Sequence, residues 1–245
     1  MTTNLPPRLF LSPPHIGSEE LRYIDGAFKS NYIAPLGPMV EAFEYEFSKY
    51  IGIRHCLALA SGTAAMHLAL CELQVKPGDQ VLASTLTFIG SVNPAVYLGA
   101  QVGFIDCDIN TWNMDPRLLA VELAEREKTG SLPKVVIPTD LYGQCADLPA
   151  LKAVCEPYGI PVVIDSAEAV GSFYRNPPSA SATPPSDGSP SSISTSPTWF
   201  HAGAGSKAAI YSFNGNKIIT TSGGGMLASD DIDLIAHARK LSQQA

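Results

Sequence analysis

The chain has no apolar run of about 18 residues, so nothing in it reads as a membrane-spanning helix. Its opening, MTTNLPPRLF, lacks the apolar stretch of a signal peptide. The five cysteines, Cys56, Cys71, Cys107, Cys145 and Cys155, form no C-x-x-C pair. An odd count leaves at least one unpaired, and reduced thiols in the cytoplasm are the simpler reading. Positive charge is scarce, with 16 Lys and Arg against 23 Asp and Glu and a net charge of −7. That balance argues against a nucleic-acid partner, because a phosphate backbone attracts clustered cations. There is no Walker loop, no G-x-G-x-x-G and no internal repeat.

What is present is a 245-residue chain with 45% apolar and 16% charged residues, enough for one large core or two smaller ones. Short apolar runs recur: CLALA (56–60), QVLAST (80–85), QVGFID (101–106), KVVIPT (134–139), PVVID (161–165) and AIYSF (209–213). Each has the length of a buried strand, and most lack clean alternation. Helical spacing lies between many of them. Leu21, Ile24 and Phe28 share one face over 17–30, and Val40, Phe43 and Phe47 share one over 38–50. Both faces are expected to remain exposed and to need partners. Asp115 and Pro116 read as the cap and first residue of a helix over 115–127. The alternation predicts an α/β fold, a mainly parallel sheet with helices on both faces. Ligands would then bind beyond the strand ends.

Residues 176–198 break this pattern, being almost wholly Pro, Ser, Thr, Ala, Asn, Gly and Asp around the lone Ile193. Such a segment cannot bury enough surface to offset its ordering entropy, and it reads as a disordered surface insertion.

Four stretches carry candidate chemistry. In LALASGTAAMHLAL (57–70), Ser61, Gly62 and Thr63 stand where a strand gives way to a helix, so backbone N–H groups and hydroxyls could cradle an anion. The same residues would also make an ordinary helix cap. In VVIDSAEAVG (162–171), Asp165 ends an apolar strand, where a carboxylate needs a cation or strong hydrogen bonds. Only Glu168 lies nearby, so no metal centre is expected. A cationic heterocycle nitrogen is one partner for Asp165, and a helix cap is the other reading. In YSFNGNKIITTSGGGM (211–226), Lys217 has no acidic residue within ten positions on either side. An amine in neutral surroundings loses its proton more readily and can form an imine. Gly223, Gly224 and Gly225 leave room for a flat ligand, or make a turn or bulge. Phe88, in STLTFIGSV (84–92), could stack on a planar ring or fill the core.

An anion cradle, an aromatic platform, a buried carboxylate and an imine-forming lysine are together the parts of a pyridoxal phosphate site. These stretches, with LSPPHIGSEELRYIDGAFKSNYIAPLGPMVEAFEYEF and DLYGQCADL, resemble the DegT/DnrJ/EryC1/StrS nucleotide-sugar aminotransferases, of the aspartate-aminotransferase fold. The opening and the Lys217 stretch are most similar to enzymes that aminate UDP-linked 4-keto-6-deoxy sugars. The resemblance implies pyridoxal phosphate as cofactor, glutamate as amino donor and a homodimer. It implies that Lys217 is the Schiff-base lysine and Asp165 the partner of the pyridine nitrogen. Glu168 falls near the cofactor's phenolic oxygen, at a position often Gln or His in the family. Gly62, Thr63 and Ser212 match phosphate contacts, and Phe88 matches the stacking aromatic. It also implies that 1–245 is the large domain, the first two-thirds of the protein. A small C-terminal domain would follow it.

Overall fold

A computed structural model of the chain describes residues 8–10, 12–32, 34–175 and 199–244. The insertion at 176–198 lies outside the described residues. In chain order the elements are α1 (Glu20–Ser30), α2 (Pro38–Ile51), β1 (His55–Leu59), α3 (Gly62–Glu72), β2 (Gln80–Ser84), α4 (Asn93–Tyr97), β3 (Gln101–Ile105), α5 (Pro116–Thr129), β4 (Val135–Ile137), α6 (Leu148–Cys155), β5 (Val163–Asp165), β6 (Phe173–Arg175), β7 (Trp199–His201), β8 (Ala208–Ser212), β9 (Gly225–Ser229) and α7 (Ile232–Gln244).

All six apolar runs become strands. They join as β1-β9-β8-β5 and β3-β2-β4, linked by parallel bridges between Val136 and Val162 and between Thr139 and Asp165. Within this array only β9 runs antiparallel to its neighbours. The strands lack alternation because both faces are buried. On one face Leu82, Val136, Ile164, Ala209 and Met226 join Phe47, Leu119 and Leu151 from the helices. On the other, Val81, Ile137, Val163, Ile210 and Leu227 join Met66 and Leu70 of α3 and Ile235 of α7. β6 and β7 form a separate antiparallel hairpin.

Helix starts follow local chemistry. The Asp115 carboxylate accepts the N–H of Arg117, and Pro116 opens α5. α1 matches its expectation, burying no residue and leaving Leu21, Ile24 and Phe28 largely in solvent. α2 does not. Val40 and Phe43 are half-buried and Phe47 is buried, with its ring edge-on to Tyr211 and Phe213, so this helix packs on the sheet instead of offering a free face. The five cysteines are all free, and no described helix is long and apolar enough to cross a membrane.

Candidate active site

A cavity of about 640 Å³ opens beyond the carboxyl ends of β1, β2, β4, β5 and β8. This is where a parallel sheet exposes backbone and loop groups to a ligand. Gly62, Thr63, Phe88, Asp165, Glu168, Ser212 and Lys217 all line it, so every site residue expected from the sequence meets in one place.

The anion cradle and the helix cap turn out to be compatible. The Ser61 hydroxyl oxygen accepts the Ala64 N–H at 3.0 Å and its carbonyl accepts the Ala65 N–H, which leaves Gly62 and Thr63 without partners inside α3. Gly62 is small for a packing reason. A Cβ there would sit 3.3 Å from both the Ser212 Cβ and the Tyr211 carbonyl, so glycine lets α3 start against the end of β8. Gly225 shows the same constraint more strongly, since a Cβ would fall 2.3 Å from the Gly62 nitrogen. It begins β9, whereas Gly223 and Gly224 line the cavity. The glycine run therefore serves both a close backbone approach and an open wall.

Asp165 ends β5 and is buried. Its Oδ1 accepts the Ala167 N–H at 3.0 Å, and its Oδ2 accepts the Ser91 hydroxyl. Burial pushes the carboxyl above the ordinary range, and these bonds together with the Lys217 charge only partly oppose that.

Lys217 lies on the turn after β8 and is mostly buried. Its surroundings are not neutral, contrary to the sequence expectation. Nζ is 2.9 Å from Glu168 Oε1. Sequence distance concealed this acid, which sits 49 residues away. Lys207 is elsewhere, before β8, paired with Asp231 at 2.7 Å. Phe88 is 70% exposed at the cavity rather than in the core, which leaves its ring face available.

Sequence reasoning missed Ser91, Thr87, Thr139, Asp140 and Tyr142. Thr87 Oγ1 lies 2.7 Å from both Ser91 Oγ and Thr139 Oγ1, a hydroxyl chain leading to Asp165. Asp140 is buried beside it, accepting the Ser166 hydroxyl at 2.6 Å and the Ala146 N–H at 2.8 Å. The stretches STLTFIGSV, KVVIPT and DLYGQCADL contain all five, but none of these residues stood out against its own neighbours.

The profile of the DegT/DnrJ/EryC1/StrS aminotransferase family matches residues 14–245. EpsN of Bacillus subtilis (strain 168), whose name carries the words pyridoxal phosphate-dependent aminotransferase, is 43% identical over 238 residues, covering 97% of this chain and 55% of that protein. The GDP-perosamine synthase of Caulobacter vibrioides is 33% identical over 97% of this chain and 56% of its own length. Among solved structures, Spr1654 of Streptococcus pneumoniae in its PLP-form superposes with a TM-score of 0.77 at 26% identity, covering 96% of this chain and 57% of that one. The chain thus spans about half the length of the curated relatives it matches, less than the two-thirds expected from the sequence. With a profile match over almost its whole length and a parallel-sheet fold shared with the solved members, the chain belongs to the DegT/DnrJ/EryC1/StrS aminotransferase family.

Proposed function

We propose that residues 1–245 are the large domain of a pyridoxal phosphate-dependent aminotransferase. It would move an amino group from glutamate to the 4-keto carbon of a nucleotide-linked 4-keto-6-deoxy sugar, in the cytoplasm and as a homodimer. The observation that carries this reading is the convergence of Lys217, Asp165, Phe88 and the start of α3 on one cavity. The relatives support it through their names, which include a GDP-perosamine synthase and a PLP-form aminotransferase structure.

Asp165 tests whether the cofactor fits. Among the described residues its carboxylate has no lysine, arginine or histidine within ion-pair distance, yet it is buried and held at a raised pKa. A protonated ring nitrogen would supply the missing positive charge. The remaining parts suit the same group. Gly62 and Thr63 N–H groups and the Ser212 hydroxyl would hold its phosphate, and Phe88 would offer a flat face.

When bound, pyridoxal phosphate supplies an aldehyde carbon and an electron-withdrawing ring that stabilises a substrate carbanion. The chain's own residues do the rest. Asp165 would hold the ring nitrogen protonated. Lys217 Nζ, as general base and acid, would take the proton from the donor's Cα and deliver it to the carbon that was the cofactor's aldehyde carbon. Leu86 and Leu141 add apolar surface to the cavity lining.

Borohydride reduction of the protein incubated with pyridoxal phosphate, followed by peptide mapping, tests the reading. Label is expected on Lys217; label on Lys207 alone overturns it. Product mass after incubation with glutamate and a UDP-linked 4-keto-6-deoxy sugar tests the substrate. Sedimentation tests the dimer, with a Phe28→Glu variant of the exposed α1 face expected to weaken self-association.

A further inference from the structure

Glu168 is gripped at both oxygens. Oε1 meets Lys217 Nζ at 2.9 Å, and Oε2 accepts the N–H of Tyr142 at 3.0 Å. That N–H is presented by an unusual backbone. Tyr142 has φ 50 and ψ 34, the left-handed region that side-chain-bearing residues seldom adopt. Such a conformation persists only where its neighbours enforce it. Gly143 follows with φ 85, and its carbonyl accepts the Ser172 hydroxyl at 2.7 Å. The side chains of Lys217 and Glu168 are only 12% and 27% exposed, so the pair lies mostly inside the cavity wall.

An ammonium ion has no lone pair and cannot attack a carbonyl carbon. We propose that the Glu168–Lys217 ion pair is a latch on the reactive amine: it ties Nζ to the carboxylate and must open before Lys217 can capture an aldehyde. The proposal rests on the reading of Lys217 as the carbonyl-reactive residue. The capture step balances as follows. Once the pair has opened, the ammonium releases a proton to solvent, and the freed lone pair bonds to the carbonyl carbon. The carbonyl oxygen leaves as water, and the nitrogen ends protonated and doubly bonded to carbon. Ammonium plus aldehyde gives protonated C=N plus water. Glu168 is a positioning residue here, acting through Lys217 before the chemistry begins. The Tyr142 backbone holds Glu168 in place.

The test uses the full chain without cofactor. Glu168→Gln keeps the side chain's shape and an acceptor for the Tyr142 N–H while removing the charge. Glu168→Ala removes the acceptor as well. Competitive acetylation with acetic anhydride, read by mass spectrometry, compares Lys217 with the exposed Lys76 in the same sample. Lys217 should react roughly fivefold faster in both variants, the scale of a partly exposed ion pair. Trapping with borohydride at timed intervals should show faster attachment of pyridoxal phosphate to Lys217. Equal or slower acetylation in the variants, against unchanged Lys76, overturns the latch. If acetylation accelerates but pyridoxal phosphate never attaches to Lys217, the latch stands and the cofactor reading fails. If attachment occurs at equal rates and acetylation is unchanged, the cofactor reading stands and the latch fails.

Discussion

The hydroxyl of Ser91 donates a hydrogen bond to the carboxylate of Asp165, although 74 residues separate them. Ser91 closes a short 3-10 turn, Ile89–Ser91, and its own N–H bonds the Phe88 carbonyl at 3.0 Å. One serine thereby ties the exposed aromatic at the cavity to the buried acid at the end of β5. Thr87 and Thr139 extend the tie to the β4 loop.

Ser91→Ala should therefore weaken the fold and the site together. It leaves a buried acceptor short of a donor, which costs about 1–3 kcal/mol. The sign of its pH dependence follows from the Ser91 bond, which lowers the Asp165 pKa. Without that bond the folded-state pKa rises further above the unfolded value. The charged carboxylate is then disfavoured still more in the folded chain, and the loss should be larger at high pH than in acid. Urea unfolding of both proteins at pH 5 and pH 8 measures this. A loss that is equal at both pH values would contradict the assigned role.

Gly90 sits beside the cavity for a reason visible in two distances. A Cβ there would meet Thr63 Oγ1 at 2.7 Å and the Phe88 ring at 3.0 Å. Both neighbours line the cavity. Gly90→Ala must push one of them, so pyridoxal phosphate affinity should fall at least about tenfold, the equivalent of about 1.4 kcal/mol. Thermal stability should change less, since Gly90 is not at a left-handed φ. Equilibrium titration of the cofactor's visible absorbance checks it, and an unchanged affinity would show that the two walls yield freely.

Asp140 should impose a pH dependence on stability. Burial pushes its carboxyl from 3.8 up to about 7, and the nearby Asp165 charge adds to this. The folded chain thus keeps a proton that the unfolded chain releases between those values. Stability from this group is full below the unfolded pKa and declines as pH rises toward about 7. The decline is at most about 4 kcal/mol, from roughly 1.4 kcal/mol per unit. Asp140→Asn cannot titrate, so its urea midpoint should fall less between pH 5 and pH 8 than that of the parent. Parallel pH profiles for the two proteins would place the titration elsewhere.

Much of the fold was legible because its signals are local. Continuous apolar runs such as CLALA and KVVIPT can only be buried strands or short buried helices, and their length chose between these. Ser61, Gly62, Asp115 and Pro116 announced helix starts through side-chain and backbone preferences that act within three residues. Lys217 and Asp165 stood out against their own neighbours. What escaped is whatever depends on distant chain segments. β9 was hidden in a glycine run because its identity comes from pairing with β1 and β8. β6 and β7 have three residues each, too few for a period. The Glu168 beside Lys217 and the Ser91 beside Asp165 meet only once the sheet is assembled, so neutrality judged along the sequence misjudged the space around Lys217.

The hairpin makes a prediction about the segment it brackets. β6 ends at Arg175 and β7 begins at Trp199, and these two residues are direct cross-strand partners. The chain therefore leaves and re-enters at adjacent points, where a two-residue turn of Asn-Gly type closes an antiparallel pair. Further along, Phe173 faces His201, and the buried His201 ring accepts the Gly171 N–H at 2.8 Å. Those contacts among the described residues tie the hairpin together. Replacing 176–198 by Asn-Gly should leave the yield of folded protein and the labelling of Lys217 unchanged. Shortening a closed loop from about 23 residues to two lowers its closure entropy by roughly 2 kcal/mol, so the melting temperature should hold or rise. A fall in melting temperature, or loss of soluble protein, would mean that the segment makes stabilising contacts its composition does not foretell.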